Sequence, residues 1–192
     1  MGKSCLITKD LSVTKISITG SVFVIFVIEI KKEEKTMIKV VRIDYRLLHG
    51  QVIFAWTKSR DIERIIVIDN QTANDDFKKM SLKLSKPADV RLSVFSVEQA
   101  RERLAKINAL KDNTMVIFGN VSEMAAIVPD LVEVEEVNYG NVPERQGTKK
   151  FSNAIYLTEK EIAESQQLKD KGFKLVMQQV PTSKRENLNN LI

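Results

Sequence analysis

"RIIVIDNQTANDDFKKMSLKLSKPADVRLSVFS" (Arg64–Ser96) reads as a strand, a helix and a second strand. "RIIVIDN" (Arg64–Asn70) is a nearly continuous β-branched run, the pattern of a strand buried on both faces. "ANDDFKKMSLKLSK" (Ala73–Lys86) has an acidic first turn and a lysine-rich end, which matches a helix dipole, and Pro87 stops it. "VRLSVFS" (Val90–Ser96) returns to strand. A helical connection of this length lets the two strands lie parallel in one sheet through a right-handed crossover.

The same alternation extends in both directions. Upstream, "IKVVRID" (Ile38–Asp44) predicts a strand and Gly50–Arg60 a helix with Val52, Phe54, Ala55 and Trp56 on its buried side. Downstream come a helix over Val97–Asn108 capped by Ser96, a strand at Thr114–Asn120 and a helix at Val121–Val128. Val134–Gly140 predicts a strand, and the polar Asn141–Asn153 a loop or hairpin. "AIYLT" (Ala154–Thr158) reads as strand, Glu159–Gly172 as a helix ending on its glycine, Phe173–Val180 as strand and Thr182–Ile192 as a terminal helix. The expectation is an α/β domain: an open, mainly parallel twisted sheet of about seven strands with helices on both faces.

Residues 1–36 fall outside this pattern. Their apolar run, Val22–Ile28, is too short for a membrane span of about 20 residues. No small-residue cleavage site follows it, as a signal peptide would require. "KKEE" before Met37 can be encoded by a purine-rich stretch resembling a bacterial ribosome-binding site, roughly eight nucleotides upstream. Residues 1–36 are therefore expected to be an over-called extension, with the natural start at Met37 and the domain over 37–192. If made, the extension is expected to be disordered or a loosely attached strand.

Composition removes several functions. The only cysteine, Cys5, precedes Met37, so the main domain has no thiol for a disulfide, a zinc cluster or nucleophilic catalysis. His49 is the only histidine, so no multi-imidazole metal site can form and no metal is expected. From Met37 onward, 24 basic residues face 21 acidic ones. That excess is too mild to argue for nucleic acid.

Ligands of parallel α/β sheets bind outside the carboxyl ends of the strands. Those ends carry Asp44–Gly50, then Asp69 and Asn70, Gly119 and Asn120, and Asn138–Gly140, so His49 lies on the ligand edge. Gly50 and Gln51 open the following helix, whose free N–H groups and dipole suit an anion. Arg46 lies near enough to fork onto phosphate oxygens, and Asp44 is available to orient the imidazole. Two uses remain open: a general base acting on a small anionic substrate, or a nucleophile that accepts a phosphoryl group. Neither a Walker loop nor a dinucleotide fingerprint occurs, which suits a relay supplied by another protein.

"VRIDYRLLHGQV" (Val41–Val52) closely resembles the signature around the phosphorylated histidine of IIB components of the mannose/fructose/sorbose class of bacterial sugar phosphotransferase systems. "IIVIDN" with "DDFKKM", "NYG", "YLTEKEI" and "QQVPT" support the likeness, which runs from Met37 to the carboxyl terminus. The resemblance implies a cytoplasmic subunit without a bound cofactor, peripherally associated with the membrane. It implies a protein-Nπ-phosphohistidine–sugar phosphotransferase that takes its phosphoryl group from a phosphorylated IIA protein and passes it to a sugar carried by membrane IIC and IID components. His49 matches the phosphorylated histidine, with Nδ1 the expected carrier, Arg46 the supporting arginine and Asp44 the nearby acid. Arg42, Gly50, Gln51, Asp69 and Asn70 match further phosphate- or partner-binding positions. A homodimer is compatible with the family; nucleic acid is not expected.

The chain departs from the family at Tyr45, read as a packed loop aromatic, and in "NYGNVPERQGTKK", which lacks a second glycine and methionine. An RNA-binding module is a remote rival, since it needs exposed stacking aromatics and those here fall mostly at core spacing. Trp56 reads as core. Lys78, Lys79, Lys83 and Lys86 read as a solvated helix surface, with a docking face for an acidic partner as the alternative.

Overall fold

The computed structural model describes residues 37–192 in full and, before them, the backbone of two strands alone. Those strands, β1 (Asp10–Ile18) and β2 (Ser21–Glu29), pair antiparallel from Asp10 with Glu29 to Ile18 with Ser21. A paired hairpin therefore stands where disorder or a single strand was expected. Cys5 and the "KKEEK" run lie outside the described residues. The hairpin and the domain from Thr36 form two separate compact units.

In the domain, β3 (Ile38–Asp44) leads to α1 (Gly50–Ser59), β4 (Arg64–Ile68), α2 (Asn70–Ala73), α3 (Asp76–Ser85) and β5 (Arg91–Phe95). Next come α4 (Val97–Glu102), α5 (Leu104–Asn108), β6 (Thr114–Phe118), α6 (Val121–Ile127) and β7 (Glu136–Asn141). The chain closes with β8 (Thr148–Lys150), β9 (Tyr156–Thr158), α7 (Glu159–Asp170), β10 (Lys174–Met177) and β11 (Glu186–Asn187). Seven strands form the main sheet in the order β11-β10-β7-β3-β6-β4-β5. All pairs are parallel except β10–β11.

Successive strand residues face opposite sides, so each central strand feeds two cores. Val41, Ile43, Ile66, Ile68, Val116 and Phe118 pack under α4–α7. Val40, Ile65, Val67, Met115 and Ile117 pack under Ile53 and Trp56 of α1 and Leu82 of α3. Burying strands on both faces accounts for their unbroken apolar runs.

Several expectations are corrected. "AIYLT" does not join the main sheet: β9 pairs with β8 in a two-stranded hairpin, and β11 takes the seventh place. Thr182–Ile192 is not a helix, because Glu186 and Asn187 pair antiparallel with Met177 and Val176 and Leu188 is fully buried. The helix expected over Ala73–Lys86 begins only at Asp76, and a separate short helix, α2, precedes it at the end of β4. Asp69 caps Thr72 N–H of α2 and Asp75 caps Lys78 N–H of α3, so two cap residues define two starts. Arg103 similarly divides the Val97–Asn108 helix.

The connections place the site. From β3 the chain crosses to β4 on one side, whereas from β6, the neighbour of β3, it crosses to β7 on the other. A crevice opens outside the carboxyl ends of strands whose connections part in this way. The loop carrying His49 emerges there.

Candidate functional site

Residues 44–49 turn the chain from β3 into α1. Leu47 N–H donates to the Asp44 carbonyl at 2.9 Å, closing a turn. Leu47 itself adopts φ 57°, a left-handed conformation that costs a branched residue roughly 1 kcal/mol. Buried Leu48 anchors the loop in the core under α1. His49 follows as the exposed N-cap of α1 in extended backbone, and its side chain makes no capping bond. Its carbonyl accepts from Val52 and Ile53 N–H. Among the described residues, the exposed Gly50 and Gln51 N–H groups have no acceptor, as at any helix start without a side-chain cap. Gly50 has φ +31° with open space around it, so conformation rather than crowding calls for glycine.

Below this loop lies a chain of charges. Asp44 is fully buried, and both its oxygens are held by guanidinium groups. Arg42 Nη2 donates to Oδ2 at 3.0 Å, while Arg46 Nε donates to Oδ1 at 3.1 Å and Nη2 to Oδ2 at 3.3 Å. Arg46 N–H adds a bond to Oδ1 at 3.1 Å. Arg42 is 1% exposed; its Nη1 donates to Asn138 Oδ1 of β7 and to the Gln178 carbonyl beyond β10. Its guanidinium sits 5.5 Å from the Trp56 ring centroid, and Trp56 Nε1–H donates to the Gln179 carbonyl. Burial is the main cause lowering the Arg42 pKa, and Asp44 opposes it.

Gly140 makes room for this cluster. Ile43 pairs with Tyr139 and Asp44 with Asn141, so Gly140 is an extra residue in a bulge. A β-carbon there would lie 1.9 Å from Arg42 Cζ.

Two sequence assignments change here. Asp44 is directed at two arginines rather than at the imidazole: it makes no hydrogen bond to His49, and its oxygens are occupied. Arg42, expected at a phosphate- or partner-binding position, lies beneath the surface, where it holds Asp44, which holds Arg46. Arg46 keeps a quarter of its side chain exposed, with its guanidinium 5.9 Å from the Tyr45 ring. Tyr45 is half-exposed rather than packed, and Phe54, expected in the core, faces solvent.

Asp69 and Asn70 end the neighbouring strand β4. Asp69 is nearly buried; its Oδ2 caps Thr72 N–H and its Oδ1 lies against Gly119, beside Leu47. Asn70 Oδ1 accepts from Val97 N–H, and Asn70 N–H donates to Glu123. Both residues tie loops together at the ligand edge. Burial raises the Glu123 pKa, and its Oε2 is buried without a partner.

The sequence placed Asn138 and Gly140 at the ligand edge without tying them to Arg42, and it gave no sign that Trp56 and the Gln178 carbonyl belong to the site. "NYG" and "QQVPT" were visible as shared motifs, but nothing local connected them to Arg42. They also border a cleft of about 190 Å³ lined by Gly140, Asn153, Ala154, Gln178, Gln179 and Ser183, so the Asn141–Asn153 segment helps to wall the edge. Among the described residues, no group of three or more His, Cys, Asp or Glu is placed to hold a metal, and no helix is long and apolar enough to cross a membrane.

Known proteins share this fold. The chain is 31% identical over 156 residues to the mannose-specific EIIAB component of the phosphotransferase system of Escherichia coli K12, covering 81% of this chain but 48% of that protein. It thus spans about half the length of that relative. It is 27% identical to the fructose-specific EIIB component of Bacillus subtilis, covering 79% and 93% of the two chains. The solved IIBSor domain of the Klebsiella pneumoniae sorbose permease superposes with a TM-score of 0.74 at 27% identity, covering 80% and 94%. Residues 38–192, the whole of the sheet and its helices, match the model of the PTS system sorbose subfamily IIB component, and the chain belongs to that family.

Proposed function

We propose that His49 is the phosphoryl carrier of this IIB component. Its imidazole takes the group from a phosphohistidine on a IIA protein and passes it to a sugar hydroxyl presented by membrane IIC and IID components, at the cytoplasmic face. In the first step an imidazole nitrogen lone pair attacks phosphorus as the donor N–P bond breaks. In the second the sugar oxygen attacks, the His49 N–P bond breaks and the hydroxyl proton leaves to solvent. Nδ1 is the expected carrier nitrogen. The protein's part is positioning and charge: Gly50 and Gln51 amides at a helix start, with the Arg46 guanidinium, face the equatorial oxygens of the moving group.

The observation that carries this reading is the buried Arg42–Asp44 pair, which fixes Arg46 three residues before the only imidazole. Arginine side chains lose considerable rotamer freedom on ordering, and the bidentate carboxylate meets that cost before any phosphoryl group arrives.

The test incubates the protein with the general phosphotransferase proteins, a matching IIA and labelled phosphoenolpyruvate. Acid-labile, alkali-stable label on the wild type and none on His49→Ala is the expected result. An unlabelled wild type beside a charged IIA overturns it. An enzyme using His49 as a general base would instead turn over a small anion with no partner and no label.

A further inference from the structure

Helix α3 turns apolar side chains toward water. Phe77 and Leu84 are each 82% exposed and Met80 63%, while Leu82 alone of its residues is buried. The spacing i, i+3, i+7 puts the three in one stripe along the outer face. The sequence drew attention to the lysines of this helix; the fold places them beside the stripe, with Lys78 and Lys79 half-buried. Asp76, Lys79 and Lys83 each precede a stripe residue and form one flank, on which Lys79 is already paired with Asp76. Ser81 and Ser85 each follow one and form the other. Asp76, Phe77, Lys79, Met80 and Lys83 line a shallow hollow.

We propose that this face receives the same face of a second copy of the chain, with the two α3 helices antiparallel about a two-fold axis near Met80 and Ser81. The stripe is self-complementary about that point. Phe77 and Leu84 are equidistant from it, so each Phe77 meets the partner's Leu84 and the two methionines meet at the axis. In an antiparallel pair, like flanks face each other. Asp76 then lies opposite the partner's Lys83, and Lys83 opposite the partner's Asp76. The serine flanks meet with no charge between them.

In the single chain, Asp76 pairs with Lys79 at 2.7 Å, and Lys83 has no ion-pair partner among the described residues. The antiparallel arrangement supplies one, and it also opposes the two helix dipoles. An isologous contact of this kind closes as a dimer. A lipid surface would accept the apolar stripe and the lysines, but it would gain nothing from Asp76 or from a flank of serines. Three side chains on one helix bury far less than the roughly 1,600 Å² of a standard interface, so the dimer is weak and reversible. The inference is independent of phosphoryl transfer at His49.

Sedimentation velocity of the full chain from about 5 to 500 µM tests it. The wild type is expected to shift from monomer to dimer within that range. Met80→Glu, which sets two carboxylates at the axis on an exposed position, is expected to weaken association at least tenfold with an unchanged circular dichroism spectrum. Asp76→Lys and Lys83→Asp should each weaken it several-fold, and the double variant should recover most of the loss by reversing both ion pairs. A wild type that stays monomeric at the highest concentration overturns the proposal. So does a dimer indifferent to Met80→Glu. Binding to phosphatidylserine vesicles by a chain that never dimerises would assign the face to lipid instead.

Discussion

One methyl group on β7 should do as much damage as removing a buried charge. Gly140 is not among the glycines with positive φ, so the cost of alanine there is steric. The new β-carbon would lie 1.9 Å from Arg42 Cζ and little more than 2 Å from both terminal nitrogens, so the guanidinium must leave. Its departure strips Asp44 of one of two cations and removes the donors to Asn138 and to the Gln178 carbonyl. Breaking a buried ion pair by displacing one partner costs about 3–5 kcal/mol. With a urea m-value of about 2 kcal/mol/M, the midpoint should fall by about 1.5–2.5 M. Trp56, the only tryptophan, is buried against Arg42 and reports the transition by fluorescence. Arg42→Ala should cost a similar amount. In that background the three atoms nearest the methyl are gone, so Gly140→Ala should add less than about 0.5 kcal/mol, an interaction energy of at least about 2.5 kcal/mol in a double-mutant cycle. Additive costs, within about 0.5 kcal/mol, would mean that the methyl acts on something other than Arg42.

Other perturbations probe neighbouring claims. Arg46→Ala should slow phosphoryl transfer to His49 by about 10²–10³-fold in a quenched-flow assay, and Arg46→Lys should recover only part because lysine cannot fork onto Asp44. Glu123 has a folded pKa above the ordinary 4.5, so the native state holds its proton longer than the unfolded chain does. Its penalty is absent below the ordinary value, grows as pH rises to the raised one and persists above it. Glu123→Gln should therefore stabilise the protein at pH 7 and lose that advantage near pH 4, which thermal melts across pH would check. Tyr139→Phe removes a buried hydroxyl that bonds Ser165 at 2.8 Å, and should cost about 1 kcal/mol in urea denaturation. Thr158→Ala deletes one side of the capping box of α7 and should cost about 1 kcal/mol by the same measure.

Much of the domain was legible as a sequence because its signals are local. A β-branched run such as "RIIVI" cannot be satisfied except between two apolar layers, and "DDFKKM" after it carries its own cap and dipole match. Alternation of such segments implies a parallel sheet, and a parallel sheet puts its ligand edge at the strand ends, where His49 stands. What stayed illegible has weaker local signals. "TSKRENLNNLI" has spacing compatible with a helix, but two ladder pairs with β10 and the burial of Leu188 set it as an edge strand. "DDFKKMSLKLS" is amphipathic by any count, yet it buries Leu82 alone and leaves Phe77, Met80 and Leu84 in solvent.

The α/β class, the place of the sole imidazole at a strand end and the family signature around it are all written in short stretches of chain, since each follows from residues within a few positions of one another. That Arg42 is a buried support and Asp44 serves two arginines comes from packing alone. The residues responsible, Asn138 and Gln178, lie 96 and 136 positions from Arg42. Their approach depends on β7 and β10 lining up beside β3, and strand order is a property of the whole packed sheet. A charged residue in "VVRID" looks alike on paper whether it meets water or a carboxylate. Which of the two it meets depends on what the rest of the chain brings to it.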